Sequence, residues 1–234
     1  MTTPDPDAVR ATFECIASRY DLANHILSGG LDFLWRRCLI RKAKALAASD
    51  VLDLATGSGD IALALRKTLS EETNVTGLDF CPPMLREAER KRETAGHSSE
   101  NLKFLEGDCL ALPFADESFD LLTIAFGLRN LADRSRGFAE MLRVLRPGGS
   151  LLVLEFSQPY FLLRPFYYLY LLGILPILAR FVTGDRRAYE YLGTSIAGFP
   201  DRSSLVAELI QVGFAKVNFT SLTGAIVALH VAEK

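Results

Sequence analysis

The stretch Val51–Asp60 constrains this chain most, because an apolar run there ends in a short turn that contains two glycines. The residues that follow, Ile61–Leu69, have the apolar spacing of an amphipathic helix. Gly57 and Gly59 allow positive φ angles and a close approach of the backbone to a ligand, and the free N–H groups of the helix point into the same space. The pattern predicts a nucleotide-type site at the carboxyl end of a first parallel strand.

The charges beside this turn indicate which adenosine cofactor it holds. The spacing Gly57-x-Gly59-x-x-Ala62 also satisfies the looser dinucleotide pattern, so a nicotinamide-dependent reductase stays an alternative. A pyrophosphate prefers a helix N-terminus without acids, whereas Asp53 and Asp60 bracket this loop. Two carboxylates suit a cationic ligand better, and we therefore expect S-adenosylmethionine, which carries a sulfonium and no phosphate.

Composition limits the remaining classes. A chain of 234 residues with 49% hydrophobic content can bury one core, so we expect a single domain, 1–234. Its 26 basic and 28 acidic residues leave a net charge of −2, which provides no basic field for a nucleic acid. The four cysteines form no CxxC pair and lack histidines at metal spacing, so we predict reduced thiols, no metal site and a cytoplasmic protein without a secretory signal.

Apolar runs separated by helical patterns predict a doubly wound, seven-stranded, mostly parallel α/β sheet of the Rossmann-like type, with a C-terminal antiparallel hairpin. A helix over Asp7–Arg19 and another over Leu34–Leu46 would form an N-terminal helical lid, 1–48. A helix capped by Asp133 is expected to stop at Pro147-Gly148-Gly149. The predicted strands are Val51–Leu54, Asn74–Asp79, Leu102–Leu105, Phe119–Ala125, Leu151–Phe156, Val217–Thr220 and Ala225–Val231.

Two further features follow from this order of elements. Asp79 ends the second strand about twenty residues after the glycine loop, where this fold places an acid for ribose hydroxyls. The segment Tyr160–Val182 carries only two charges, Arg164 and Arg180, in a long aromatic and aliphatic run. Prolines interrupt that run, so we expect an apolar insertion over 160–200 and no membrane-spanning helix.

Taken together, the glycine loop, Asp79, Gly107-Asp108 and the C-terminal hairpin resemble a class I S-adenosylmethionine-dependent methyltransferase. Several motifs look narrower, like the ubiquinone/menaquinone biosynthesis C-methyltransferase family, and the wording of the first motif looks closer to its demethylmenaquinone side. These motifs are Tyr20–Ser28, Trp35-Arg36, Leu112–Phe114, Phe126–Asn130, Leu152–Ser157 and Thr223–His230.

The resemblance assigns cofactor contacts residue by residue. The hydroxyl of the glycine loop falls on Ser58, where the family usually has Thr, and the ribose acid falls on Asp79. The residues beside the adenine fall on Asp108 and Cys109, and Ala125 ends strand four. Asp53, Gly57 and Gly59 complete the expected set, although Asp53 has the alternative role of holding the loop. Thr194–Ala197 departs from the family's Glu-Ser-Ile-Arg, so no role is transferred there.

The implied reaction is C-methylation of a reduced polyprenyl quinone, demethylmenaquinol. Alternative acceptors are 2-methoxy-6-polyprenyl-1,4-benzoquinol and another small phenol. A further alternative is a cofactor-binding regulatory domain without catalysis. Arg129 is expected to stabilise the phenolate; its alternative is a salt bridge with Asp133 or Glu140. The general base is left unassigned.

The same resemblance suggests roles for residues around the substrate. Tyr20 and Asn24 would close the lid, or else pack and cap within a turn. His25 and His230 are candidate bases, or structural histidines. The insertion 160–200 would cover the substrate, and its segment 160–182 would make peripheral contact with the inner face of the membrane. The alternative for this segment is a buried helix pair with a homodimer surface.

Overall fold

The computed structural model describes residues 25, 28–97, 100–175 and 186–234, and within them a seven-stranded sheet has the order β3-β2-β1-β4-β5-β7-β6. Strands β1 to β5 are parallel, while β7 runs antiparallel to both β5 and β6. The predicted fold class is therefore confirmed. The strands are β1 Asp50–Leu54, β2 Asn74–Asp79, β3 Leu102–Glu106, β4 Phe119–Ala125, β5 Leu145–Phe156, β6 Lys216–Leu222 and β7 Val227–Glu233.

The described helices cover both faces of this sheet, and two of them begin at aspartate caps, of which the one at Asp133 was predicted. The Asp133 carboxylate accepts a hydrogen bond from Arg136 N at 3.0 Å, and the Asp201 carboxylate accepts one from Ser204 N at 2.8 Å. Each cap satisfies an N–H group that the first helical turn leaves without a partner. The helices are α1 Leu31–Ala45, α2 Asp60–Thr68, α3 Pro82–Thr94, α4 Arg134–Val144, α5 Arg164–Tyr168, α6 Arg186–Ala197 and α7 Arg202–Val212.

The prediction that Pro147-Gly148-Gly149 ends a helix is wrong. Helix α4 ends at Val144, and Leu145 already has extended angles, φ −72° and ψ 138°. The Pro-Gly-Gly sequence lies inside β5, where the register with β4 shifts before Leu121. Gly148 has φ 78°, so these residues form an irregular, bulged strand start and do not act as a helix stop.

Helix α1 is the described part of the expected lid, and it packs against the sheet. Its Trp35, Leu39 and Ala43 are buried in one cluster with Val227 and Leu229 of β7. The part of the predicted lid that contains Asp7–Arg19, Tyr20 and Asn24 lies outside the described residues.

The apolar insertion begins directly after β5. It comprises a 3₁₀ turn at Phe161–Leu163, helix α5 and a π-helix at Leu169–Ile174, and the predicted residues 176–182 lie outside the described residues. Leu171 and Leu175 point inward with Ile196 of α6. Across the described ranges, no helix has the length and apolar character needed to cross a membrane.

Candidate active site

The glycine loop joins β1 to α2, and the carboxylate of Asp79 holds its backbone. Gly57 N donates to Asp79 Oδ2 at 2.8 Å, and Thr56 N donates to the Leu78 carbonyl at 3.0 Å. Gly57 and Gly59 have φ angles of 56° and 82°, which L-residues with side chains rarely adopt. The sequence therefore needs glycine at both positions to let the chain turn from the sheet edge into the helix.

Asp53 lies beneath this loop and acts as its anchor. Its two carboxylate oxygens accept hydrogen bonds from Thr56 Oγ1 and Thr123 Oγ1, each at 2.6 Å. The residue is only 1% exposed, and this burial raises its pKa to about 6 despite the two hydroxyl donors. The contacts favour the loop-holding role, because Asp53 links β1, the loop and β4 through side chains.

The second acid that brackets the loop, Asp60, is paired with two cations. Arg36 donates to its Oδ2, and Lys91 Nζ lies 2.6 Å from its Oδ1. Burial opposes ionisation, yet these two positive charges hold the pKa of Asp60 below its ordinary value. Asp60 therefore adds little net negative charge to the loop. The attraction for a cationic cofactor that the sequence indicated must then come from the other acids. Lys91 Nζ also donates to Ser58 Oγ at 3.1 Å.

A cavity of about 480 Å³ opens beside the loop and has two different walls. The polar wall contains eight of the nine predicted site residues, namely Asp53, Gly57, Ser58, Asp79, Asp108, Cys109, Ala125 and Arg129. Gly59 is not part of the described lining, because it packs behind the loop against Ala88 and Phe104. The apolar wall contains Trp35, Phe126, Phe156, Tyr167, Tyr170, Leu171, Leu175, Leu192, Ile196 and Ile226.

Arg129 lies between these two walls and is paired with Glu155. Arg129 Nη1 lies 2.9 Å from Glu155 Oε1 and also donates to the Phe126 carbonyl, while its backbone N donates to Glu155 Oε2 at 3.2 Å. Its guanidinium lies 5.4 Å from the ring centroid of Phe156. The alternative partners Asp133 and Glu140 are wrong: Asp133 caps α4, and Glu140 pairs with Arg143.

Comparison with known proteins agrees with this geometry. The ubiE/COQ5 methyltransferase family matches residues 1–234. The chain belongs to this family. It is accordingly an S-adenosylmethionine-dependent methyltransferase, and S-adenosylmethionine is its cofactor.

Two curated relatives carry related names. The ubiquinone/menaquinone biosynthesis C-methyltransferase UbiE of Shewanella piezotolerans is 40% identical over 229 residues, covering 97% of this chain and 91% of the relative. The demethylmenaquinone methyltransferase of Thermus thermophilus is 44% identical over 226 residues, covering 95% of this chain and 99% of the relative. One of these names includes both ubiquinone and menaquinone and the other only demethylmenaquinone, so the names agree on quinone methylation and leave the quinone open.

Solved structures share the fold at low identity. The [4+2]-cyclase SpnF is 17% identical, with a TM-score of 0.69 and coverage of 100% of this chain and 97% of that one. A SAM-dependent methyltransferase from Aquifex aeolicus is 18% identical, with a TM-score of 0.56 and coverage of 79% and 81%. Since a cyclase and a methyltransferase share this architecture, these similarities describe the fold alone.

The polar wall fits the family's cofactor by its donor and acceptor set. Asp79 accepts one backbone N–H on each oxygen, from Gly57 at 2.8 Å and from Cys81 at 2.9 Å. Phe80 N is a third backbone donor to this carboxylate, and the lone-pair capacity that remains can accept a ribose hydroxyl. Burial raises the pKa of Asp79, and its backbone donors counteract this. In this family member, Asp79 is thus both the loop's hydrogen-bond acceptor and a candidate ribose ligand.

The two residues predicted to lie beside the adenine, Asp108 and Cys109, are an exposed acid and a buried thiol. Asp108 Oδ1 accepts from Leu110 N at 2.8 Å, and the residue lies at the exposed rim of the cavity. Burial raises the pKa of the Cys109 thiol to about 12, so it is protonated at neutral pH and has no thiolate reactivity. Ala125 ends β4 beside Leu154 of β5.

Neither candidate histidine is part of the described cavity lining. His25 Nδ1 lies 2.6 Å from Asp32 Oδ2, and its ring stacks on Phe33 with centroids 4.2 Å apart. Burial lowers the pKa of His230, whose Nε2 lies 3.0 Å from the Arg202 carbonyl. Both arrangements favour the structural alternative for these histidines.

Three residues in or beside the cavity were not assigned a role from the sequence: Trp35 and Tyr167, which line it, and Glu155, which pairs with Arg129. Trp35 Nε1 donates to Thr223 Oγ1 at 2.8 Å, a contact between α1 and the β6–β7 turn. Trp35 and Glu155 both lie in family-like motifs, which was the only signal available for them. Tyr167 is one of many aromatic residues in the insertion, and no sequence signal distinguishes it.

Proposed function

We propose that this methyltransferase adds a methyl group to a ring carbon of demethylmenaquinol, giving menaquinol and S-adenosylhomocysteine. The observation that carries the proposal is the two-walled cavity, in which an acid-bearing glycine loop faces a wall of aromatic and aliphatic side chains. A polar, charged cofactor and an apolar aromatic acceptor would each meet a wall of matching chemistry.

Demethylmenaquinol is favoured over a benzoquinol by the relatives. The Thermus demethylmenaquinone methyltransferase is more similar to this chain than the Shewanella enzyme in identity and in the share of its own length that is covered. The Shewanella enzyme's name includes ubiquinone, so 2-methoxy-6-polyprenyl-1,4-benzoquinol is the second candidate acceptor.

The chemistry requires a nucleophilic ring carbon beside an ionised quinol oxygen. When bound, S-adenosylmethionine would supply an electrophilic methyl group on its positively charged sulfur. The ring carbon would form a bond to that methyl group as the carbon–sulfur bond breaks, and the ring proton would pass to water as the aromatic ring reforms. A phenol has a pKa of about 10, so the protein must favour the ionised form at neutral pH. Arg129 is the residue that we assign to this role, because it lines the cavity and its guanidinium lies 5.4 Å from the Phe156 ring of the apolar wall. Since Glu155 offsets its charge, Arg129 would act through its N–H donors.

For the cofactor, we assign ribose hydroxyl binding to Asp79 and adenine contact to Asp108 with Cys109. Gly57, Ser58 and Ala125 would line the methionine side, with Gly59 shaping the turn. A Ser58→Val enzyme should bind the cofactor more weakly, because it loses the hydroxyl that Lys91 orients at 3.1 Å. Ser118→Val is a matched control, since the exposed Ser118 hydroxyl bonds only locally, to Ala115 O at 2.7 Å. Equal affinity of the two variants in calorimetric titration would remove Ser58 from the site.

The insertion is proposed to bring the enzyme to a lipid bilayer, where a prenylated quinol resides. Its outer face exposes large apolar side chains, with Phe161 81% and Phe166 73% exposed. Leu171 and Leu175 of the same segment line the cavity, so the exposed face continues into the acceptor site. The other large apolar side chains exposed on this face are Tyr160, Leu162, Leu163, Leu169, Leu172 and Ile174. An exposed apolar face of this kind is typical of contact with a membrane or a partner.

Co-sedimentation tests the membrane contact. Wild-type protein should pellet with vesicles of zwitterionic and anionic phospholipids, whereas Phe161→Ser/Phe166→Ser should remain in the supernatant. Equal behaviour of both proteins contradicts the contact, and a concentration-dependent dimer that the double substitution abolishes would instead assign this face to a homodimer.

The assay for the function is transfer of labelled methyl from S-adenosylmethionine to two reduced short-chain acceptors, a demethylmenaquinone and a 2-methoxy-6-prenyl-benzoquinone. We expect a higher kcat/KM for the naphthoquinol. A reversed preference would reassign the enzyme to the benzoquinol, and transfer to neither acceptor would refute the proposed function.

A further inference from the structure

The Tyr167 hydroxyl is a buried polar group without a visible role in the protein. It belongs to α5 and lines the cavity, and its oxygen is shielded from solvent yet has no hydrogen-bond partner within the described residues. Buried hydroxyls are normally hydrogen-bonded, since removal from water without a partner is costly. An unsatisfied donor that borders a cavity therefore indicates a missing ligand.

The neighbouring tyrosine shows that this position is different from the rest of the helix. The Tyr168 hydroxyl donates to Gln158 Oε1, so its polar group is satisfied inside the protein. The Tyr167 ring packs at the edge of the cluster formed by Leu171, Leu175 and Ile196. These apolar contacts hold the ring while offering nothing to its hydroxyl.

Two of the charged groups near Tyr167 are the paired residues Arg129 and Glu155, whose charges affect the pKa of Tyr167, as do the hydroxyl groups of Tyr168 and Tyr170. Burial is the largest influence and raises the pKa of Tyr167 well above its usual range. The hydroxyl therefore stays protonated at neutral pH and can act as a donor.

We propose that the Tyr167 hydroxyl contacts the substrate and donates a hydrogen bond to the quinol oxygen that ionises before methyl transfer. This inference rests on the proposed quinol substrate. A donor to the charged form of an acid favours ionisation, so Tyr167 lowers the pKa of the bound quinol alongside Arg129. Tyr167 belongs to the insertion and Arg129 to the turn after β4, so the two donors would reach the quinol from different elements of the fold.

The test compares Tyr167→Phe with Tyr168→Phe, which makes the same chemical change one residue later, outside the described cavity lining. Tyr167→Phe should lower kcat/KM for the demethylmenaquinol analogue by about ten- to one-hundredfold, as expected for loss of a hydrogen bond to a charged group. The acidic limb of its kcat–pH profile should move up by about one to two pH units. Its cofactor affinity should be unchanged, and its thermal stability equal to or above that of the wild type.

Tyr168→Phe should lose stability and keep the wild-type pH profile. A second acceptor sharpens the comparison: a quinol made more acidic by a ring halogen should largely rescue Tyr167→Phe, because it ionises without help. A wild-type pH profile for Tyr167→Phe, or a lower rate that the acidic quinol does not rescue, overturns the inference while leaving the proposed function intact. A wild-type enzyme that methylates neither quinol overturns both.

Discussion

Removing the negative charge of Glu155 should destabilise this protein strongly. The Arg129 and Glu155 side chains are 4% and 1% exposed, so solvent cannot compensate a lost partner. The Glu155 carboxylate accepts from Arg129 Nη1, Arg129 N and Phe156 N, at 2.9, 3.2 and 2.9 Å. An amide has one acceptor oxygen, so Glu155→Gln leaves a buried cation uncompensated and turns an N–H₂ group toward a backbone donor. Breaking a buried pair in this way costs about 3–5 kcal/mol.

Urea unfolding measures this loss, with Trp35 as the reporter, since it is the single tryptophan and is buried. Glu208→Gln makes the same change in the Arg134–Glu208 pair, whose side chains are 30% and 33% exposed, and it should cost about 0–1 kcal/mol. Adding Arg129→Met to Glu155→Gln should recover part of the stability, because no unpaired charge then remains buried. Equal losses in the two single variants, or a further loss in the double variant, would refute the reasoning.

Three further predictions concern the glycine loop. Asp79→Ala should bind S-adenosylmethionine about ten- to one-hundredfold more weakly, as expected for one lost hydrogen bond to a carboxylate. The pKa of Asp53 rises from 3.8 to about 6 on folding, so the stability it contributes is full below about pH 4 and falls by about 3 kcal/mol as the pH rises through 6. Gly59→Ala should cost more than Gly148→Ala, because its Cβ would lie 2.8 Å from Ala88 Cβ, whereas Gly148 has open space at a similar φ.

Each of these predictions has its own control. For Asp79, calorimetry is paired with thermal unfolding, and wild-type affinity in a folded variant would remove the residue from the ribose site. For Asp53, the free energy of unfolding is followed from about pH 4 to pH 7 against Asp53→Asn, which lacks this titration; parallel curves would contradict the raised pKa. For the glycines, equal losses in urea would mean that only the positive φ matters.

The sequence predicts the sheet well because its parallel strands are buried on both faces and read as continuous apolar runs. The bounds of β2 and β4 match the structure at both ends. Side-chain partners were harder to predict, since they depend on which elements meet in space. Arg129 was expected to stabilise the phenolate, with a salt bridge to Asp133 or Glu140 as the alternative; the structure pairs it with Glu155, 26 positions away on the adjacent strand.

The role of the loop acids illustrates the same limit. The sequence places Asp53 and Asp60 on either side of the glycines, but only the structure shows that Thr123 binds the first and that Arg36 and Lys91 neutralise the second. Asp79 was predictable because its position follows from the strand order, which the apolar pattern determines. The environment of Tyr167 was not predictable, because the sequence of the aromatic insertion has no helical or strand periodicity that would distinguish buried from exposed residues.

The position of β7 has a consequence for the order in which the chain folds. This strand, Val227–Glu233, lies between β5 and β6, so β6 has no strand to pair with until residues beyond it have been synthesised. The turn before β7 also bonds Trp35 through Thr223 and accepts from Tyr160 N through the Gly224 carbonyl, at 2.8 and 3.1 Å. A nascent chain can thus assemble the β1–β5 half with its glycine loop first. The part of the apolar wall that contains Trp35, and the start of the insertion at Tyr160, reach their final positions only when the last strand enters the sheet.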